Sequence, residues 1–418
     1  MSLRAAALQR RDTVHATDGD RDSQPMKILL VHNTYQQAGG EDVVFEQEKR
    51  NLQRAGHHVA TYERSNHEME QFSTLQRAML IKRIVWATDS RQEFAQLLAR
   101  ESPDVVHVHN TFIMISPSIY SACRDQGVPV VQTLQNYRLM CPGALFFRDG
   151  RVCEDCVEHS LWRGIQHGCY RGSHVQTAGV ALMLAWHRQL KTYQELVDCS
   201  VAATEFSRGK FVAAGFDADK IVVKPNFVDQ DPGPRKQPGD YAVFAGRLSQ
   251  EKGVTTLLDA WEHVHRDCTL KIVGDGPLRA RLEVQAKERG LAHVTFCGRL
   301  SREESIATVK GARFQITPSL WYEGFPMVIV EAFACGVPVL CSRLGGMQEI
   351  VADAETGLHF NPGDAQDLVR KVEWAWNHPE ELVAMGRAAR RKYETDYTAE
   401  KNYSLLMKIY EHTVATYA

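Results

Sequence analysis

Residues 318–339 read PSLWYEGFPMVIVEAFACGVPV. Pro326 suits the start of a helix, where its missing N–H costs nothing. Gly336 suits the position just past a helix end. Between them lies MVIVEAFAC, apolar except for Glu331, and after Gly336 comes the apolar run of a buried strand. A helix followed at once by a short buried strand is one unit of a parallel sheet with helices on both faces.

Working outward, the same alternation recurs. YAVFAGRL, TLKIVGDG, HVTFCGRL, RFQITPSL and VPVLCSRL are five buried-strand runs separated by helical stretches. Upstream, KILLVHN, HHVATYE, DVVHVHN and VPVVQTLQN repeat the pattern from Met26 onward. Between the two series, VDQDPGPRKQPGDY (228–241) has the proline, glycine and charge content of a linker. The fold class is therefore α/β, with two doubly wound, Rossmann-like domains facing a cleft. Residues 26–227 form the first domain, 228–240 the linker and 241–395 the second domain. Residues 396–418 form an amphipathic helix that crosses back to the first domain. Residues 1–25 are polar, mixed in charge and without an apolar segment, and read as a disordered extension.

The 418 residues are 44% apolar and 24% charged, as in a globular protein, and too many for one ordinary core. The net charge of −2 offers no overall attraction to nucleic acid. No apolar run reaches the roughly 20 residues of a spanning helix. The expected location is cytoplasmic, with peripheral contact at the inner face of the membrane.

In open parallel sheets ligands bind beyond the carboxyl ends of the strands. In the second domain those exits deliver Gly246, Arg247 and Lys252, then Gly274, Asp275 and Gly276, then Gly298 and Arg299, then Ser319 and Glu323. At the corner Glu323-Gly324-Phe325-Pro326, the N–H groups of Phe325, Met327 and Val328 sit at a helix start, where the dipole favours an anion. With Arg247 and Lys252, the ligand that fits is a diphosphate. Glu331 lies over one turn into the helix, too far along to meet the phosphates without repulsion. It suits an adjacent sugar ring, whose hydroxyls a carboxylate can accept in pairs. Glu323 lies on the other side. Two hydroxylated rings flanking a diphosphate describe a nucleotide-sugar.

GRLSQEKG, VGDGP, ACGVPV, GLHFNPGD and the Glu-x7-Glu pair, in this chain, resemble the retaining glycosyltransferases of family 4, the group 1 glycosyl transferases of GT-B fold. The resemblance implies that Arg247 and Lys252 contact the donor diphosphate, Glu331 the ribose and Glu323 the transferred sugar. It also implies that the segment after VGDGP and the GRL at Gly298, Arg299 and Leu300 form the base pocket, with Gly274, Asp275 and Gly276 among the donor-binding residues. The family usually has a small residue where Pro326 stands. Proline removes one amide, so the donors at Phe325 and Met327 carry more of the anion site. The resemblance further implies retention at the anomeric carbon, a UDP- or GDP-sugar donor, a saccharide or lipid-linked acceptor, and a place in cell-surface polysaccharide or glycolipid synthesis. A nucleotide-sugar epimerase or hydrolase of the same fold, or a silent sugar-nucleotide-binding scaffold, are the other readings.

In the first domain Gly39 and Gly40 follow the first strand and let backbone approach a ligand closely. In similar enzymes this loop closes over the donor phosphate. His109 and Asn110 stand at a strand exit facing the cleft, and the family has a histidine there, near the transferred sugar. Gln135 and Asn136 stand at the next exit. Relatives often show histidine at position 135, and glutamine cannot act as a general base. Because Arg247, Lys252 and helix amides take the charge-stabilising role, no catalytic divalent metal is expected.

Cys141, Cys153, Cys156 and Cys169 cluster around a C-x2-C knuckle. Their spacing suits a structural Zn2+ in a small lobe over 141–169. An iron–sulfur cluster or unliganded thiols are the alternatives. Finally, QRAMLIKRIVWATDSRQEF (76–94) mixes Arg77, Lys82 and Arg83 with apolar residues, and reads as a basic amphipathic helix for an anionic surface or an ordinary surface helix.

Overall fold

The computed structural model describes residues 25–36, 39–73, 76 and 79–417. The extension read over 1–25 lies outside these apart from Pro25, as does Arg77. Six parallel strands make the first sheet: β1 (Lys27–Thr34), β2 (His58–Ser65), β3 (Val105–Val108), β4 (Val130–Thr133), β7 (Cys199–Ala202) and β8 (Ile221–Val223). A two-stranded hairpin of β5 (Phe147–Arg148) and β6 (Arg151–Val152) intervenes. It turns at Asp149 and Gly150, both at positive φ. The second sheet holds β9 (Tyr241–Ala245), β10 (Thr269–Val273), β11 (Val294–Gly298), β12 (Phe314–Thr317), β13 (Val339–Ser342) and β14 (Gly357–Phe360), again all parallel.

Strand order decides where a ligand can enter. The first sheet runs β2-β1-β3-β4-β7-β8 and the second β11-β10-β9-β12-β13-β14. In each, the order reverses once, between β1 and β3 and between β9 and β12. Crossover helices part to opposite faces at that point and leave a crevice. The exits of β1 and β3 carry Gly39, Gly40, His109 and Asn110. Those of β9 and β12 carry Arg247, Lys252, Ser319 and Glu323.

The helix Ala399–Tyr417 packs Leu406, Met407 and Tyr410 into the core of the first sheet, with Ile28, Leu30, Val105 and Val131. Deep in that region Glu48, Lys224, His107 and His109 form one buried group. Glu48, on the helix Gly40–Arg54, is fully buried. The Lys224 ammonium, just past β8 and also buried, donates to Glu48 Oε1 at 2.5 Å. The second carboxylate oxygen faces His109 Nε2 at 3.3 Å and His107 Nδ1 at 3.8 Å. His107 is itself held at 2.7 Å by Tyr410 Oη and at 2.7 Å by Thr133 Oγ1.

The domains also touch directly. The Glu349 carboxylate of the second domain accepts from the N–H groups of Glu205 and Phe206, at 2.9 Å each, at the start of the helix Glu205–Ala213 in the first. It caps a neighbour's helix and meets the positive end of its dipole.

The helix expected over 76–94 is two helices, Leu80–Val85 and Thr88–Glu101, with a break at Trp86 and Ala87. The break is satisfied from elsewhere in the chain. Ser116 Oγ accepts from Ala87 N at 2.9 Å, and Ser118 Oγ donates to Ala87 O at 3.0 Å. Arg83 turns inward, donating to Asp89 Oδ2 at 2.6 Å and to Met114 O at 2.9 Å, so it is not a surface cation.

Glu48→Gln strands the Lys224 ammonium in the core. It is expected to destabilise the protein by about 3–5 kcal/mol, read as a lower urea midpoint. Adding Lys224→Met should restore most of the loss. A single variant that unfolds with the wild type would show the pair to be dispensable.

Candidate active site

Glycine shapes the floor of the second-domain crevice because backbone runs against backbone there. A Cβ at Gly274, where φ is +134°, would stand 1.9 Å from Gly246 O. At Gly253, φ +68°, it would stand 1.9 Å from Pro318 O. The second contact presses the turn that bears Lys252 onto the exit that bears Ser319. As a result the Lys252 ammonium donates to Glu323 Oε1 at 2.6 Å, and Ser319 Oγ donates to the same oxygen at 2.6 Å. Glu323 is 4% exposed, so its charge requires these partners. Lys252 also lies over the Trp321 ring, 5.4 Å from its centroid.

Past this corner Pro326 caps the helix Met327–Ala334, which ends before Gly336 at φ +68°. Phe325, Met327 and Val328 are half-buried at its start. Glu331 is half-buried. Burial pushes its carboxyl up, and Arg302 at 3.8 Å pulls the other way. With the Gln47 amide oriented to satisfy its surroundings, Gln47 Oε1 accepts from Arg302 at 3.2 Å and its nitrogen donates to Phe227 O at 3.0 Å. Arg302 thus links Glu331 to the first domain. Arg247, Asp275 and Arg299 stand exposed at neighbouring exits, with Gly276 and Leu300 half-buried beside them.

On the first-domain side, His109, Asn110, Gln135 and Asn136 line one cavity of about 40 Å³ together with Arg138 and Met183. Asn110 Nδ2 donates to Asn33 O at 2.6 Å and fixes the exit of β3 against that of β1. Asn136 Nδ2 donates to Glu41 Oε1 at 2.6 Å. Gly39 opens the helix Gly40–Arg54, its N–H donating to Asp42 Oδ2 at 2.8 Å, and neither Gly39 nor Gly40 has a neighbour within 4 Å of where a Cβ would stand. Across the crevice, the Gln135 carbonyl lies 3.3 Å from the Cβ position of Gly324.

His109 is buried, and burial holds its pKa below the usual 6.5 although Glu48 works against it. Its Nδ1 lies 3.3 Å from Gln135 Nε2. With the proton on Nε2, facing Glu48, Nδ1 accepts from the glutamine amide. Burial alone would raise Glu48, but the Lys224 charge and the His109 contact overcome it and hold the carboxylate well down. Among the described residues, Glu48, His107 and His109 are the set of metal-ligating types whose donor atoms all lie within 4.8 Å of one another. Lys224 already neutralises this carboxylate, and His107 spends both nitrogens on Tyr410 and Thr133, which leaves it none for an ion.

The four cysteines occupy the hairpin lobe, Cys141 and Cys156 buried, Cys153 and Cys169 half-buried, and none is in a disulfide. Burial first, and then the Cys141 charge, pushes Cys156 up to about 12. The thiols do not stand as a set within 4.8 Å of one another. The same knuckle reaches the Glu323 corner. Glu154 accepts from Tyr322 Oη at 2.9 Å and from Lys210 Nζ at 2.6 Å, and Tyr322 adjoins Glu323.

Sequence reasoning missed Ser319 as a partner of Glu323, the Glu48–Lys224 pair, Arg302 and the Glu154–Tyr322 contact. A lysine directly after the apolar run IVV was a signal for the second of these.

Two family models cover the chain in succession. Glycosyltransferase Family 4 matches residues 38–232, and Glycosyl transferases group 1 matches 228–392. The chain belongs to the group 1 glycosyltransferases. It has their GT-B fold: sucrose-phosphate synthase from Thermosynechococcus elongatus superposes with a TM-score of 0.71 at 20% identity, covering 94% of this chain and 100% of that one. Anabaena HepE, solved in complex with UDP-glucose, superposes with a TM-score of 0.66 at 17% identity over 93% and 100%. An uncharacterized glycosyltransferase of Methanocaldococcus jannaschii is 33% identical over 175 residues, 41% of this chain and 49% of that protein. The match thus spans about half the length of that curated relative.

Stability should fall as the pH drops below about 6.5. His107 and His109 are held neutral by burial, so the unfolded chain takes up their protons first. Above that pH the two states bind alike at these rings. Thermal melts from pH 7.5 to 5 check this, and a melting temperature that rises on acidification would contradict it.

Proposed function

We propose that this chain transfers a hexose-like sugar from a nucleoside-diphosphate donor to an acceptor hydroxyl, with retention at the anomeric carbon. The observation that carries the reading is Glu323, a buried carboxylate held by Lys252 and Ser319 at the mouth of the sheet's switch point. An ammonium has three donors, and Glu323 takes one, so Lys252 keeps two for a diphosphate. Arg247 and the amides of Phe325 and Met327 add positive potential where charge builds as the anomeric C–O bond breaks. The acceptor oxygen takes that carbon from the same face, and its proton passes to the departing phosphate. Glu331 accepts from the ribose, and Gly274, Asp275, Gly276, Arg299 and Leu300 border the base. His109 and Gln135 bound the sugar on the opposite wall, with Gly39 and Gly40 closing over the phosphates.

That HepE shares this fold and was solved with UDP-glucose supports a UDP- or GDP-sugar as the donor. A saccharide or lipid-linked acceptor, used in cell-surface polysaccharide or glycolipid synthesis at the inner face of the membrane, completes the reading. No divalent metal is called for, since side chains and amides supply the positive charge.

A thermal-shift panel of UDP-, GDP- and ADP-sugars should give a stabilising hit. With that donor, Lys252→Ala should lower kcat about 10²–10³-fold, while EDTA leaves the rate unchanged. A Lys252→Ala enzyme of full activity would remove the leaving-group role. Release of free sugar without an acceptor would make the protein a hydrolase.

We also propose one structural Zn2+ on Cys141, Cys153, Cys156 and Cys169. Four reduced thiols in a lobe with strands of only two residues support it. Metal analysis of the purified chain should find one zinc per molecule, lost in Cys153→Ser, Cys156→Ser. A metal-free, fully folded wild type would sink this assignment.

A further inference from the structure

Three helices of the first domain, Leu80–Val85, Leu161–Gln166 and His174–Gln189, share an apolar cluster on their inner sides, with Ile84, Leu161, Val180, Met183 and Leu184 among its members. Their outer sides are apolar too. Trp162, Val175, Leu182, Trp186 and Leu190 are all exposed, Trp162 at 61% and Trp186 at 49%. Met79 and Ile81 continue the surface from the first helix, and Ile81 packs against Gly179 on the third. These account for seven of the nine exposed large hydrophobic side chains among the described residues. Val175, Leu182 and Trp186 are spaced seven and four apart, which puts them on one stripe of their helix.

Within the segments that form this face, the charge has one sign. Residues 159–194 contain no aspartate or glutamate, in a chain whose acids outnumber its bases 51 to 49. Arg163, Arg171 and Lys191 are exposed within that run, and Lys82 is exposed beside Ile81. Exposed tryptophans, an aliphatic stripe and flanking cations without carboxylates match the acyl boundary and headgroups of an anionic bilayer. No helix among the described residues is long and apolar enough to cross a membrane, so the contact lies along the surface.

We propose that these three helices dock the protein on an anionic membrane surface, with Trp162 and Trp186 as the inserting side chains. The placement also has a use. Met183, buried where its neighbour Leu182 on the same helix is exposed, lines the cavity of His109 and Gln135. The docked face and the acceptor side of the crevice are then two sides of one helix, and a lipid-held acceptor need travel only its width. Docking itself does not depend on the transfer reading; only this purpose does.

The test uses the full chain and vesicles. Flotation with equimolar phosphatidylglycerol and phosphatidylcholine should recover the protein, with a blue shift of tryptophan emission, and phosphatidylcholine alone should bind it about tenfold less. The Trp162→Gln, Leu182→Gln, Trp186→Gln variant should lose about tenfold in binding to the anionic vesicles. So should the charge variant Lys82→Glu, Arg163→Glu, Lys191→Glu, and high salt should weaken the wild type. Wild-type protein that stays with neither vesicle overturns the proposal. So does a wild-type dimer in sedimentation velocity that the tryptophan variant abolishes, since the face would then be a self-interface. A nucleotide-sugar melting shift retained by both variants shows that they are folded. Its absence from the wild type would count against the donor reading and leave vesicle binding as it stands.

Discussion

A carboxylate buried at the edge of a sheet must have its charge met, and Glu323 has it met by Lys252. The pair fixes more than a side chain. Lys252 comes from the exit of β9 and Glu323 from that of β12, the two strands between which the second sheet reverses its order. The bond therefore spans the crevice floor and holds both walls in register. Glycine at 253 permits it, because no side chain fits against the Pro318 carbonyl. Everything proposed for the donor presupposes this arrangement: a cation with donors to spare, a helix start beside it, and a second carboxylate over one turn further on.

The first domain solves a similar problem deeper inside. Glu48 and Lys224 lie 176 positions apart and bury opposite charges against two histidines. One partner of that group is Tyr410, from the helix that follows the whole second domain. The orientation of His109 is thereby tied to elements from three places in the sequence. Arg302 and Glu349 tie the domains together in the same fashion, each carrying a polar contact from the second domain to the first.

What the sequence made legible were features with local causes. Pro326 and Gly336 bracket their helix because backbone dihedrals and missing donors act over a few residues. The glycines at strand exits were visible because close backbone contact requires them. The pairing of Glu48 with Lys224 was not visible, since a glutamate at an ordinary helical spacing carries no sign of a partner so far away. The stretch 76–94 was misread for a related reason. Nothing in its own periodicity reveals the break at Trp86 and Ala87, which Ser116 and Ser118 stabilise from another loop. Likewise, Gln135 could be placed at a strand exit, but its contact with Gly324 is a property of two domains meeting.

The return of the helix Ala399–Tyr417 to the first sheet has a consequence for synthesis. The ribosome releases the first domain's strands long before it makes Leu406, Met407 and Tyr410, which finish their covering. Until then part of that apolar sheet face stays wet, and the domain emerging first is the one completed last. Trimming these residues would thus unravel the front of the molecule rather than shorten its rear.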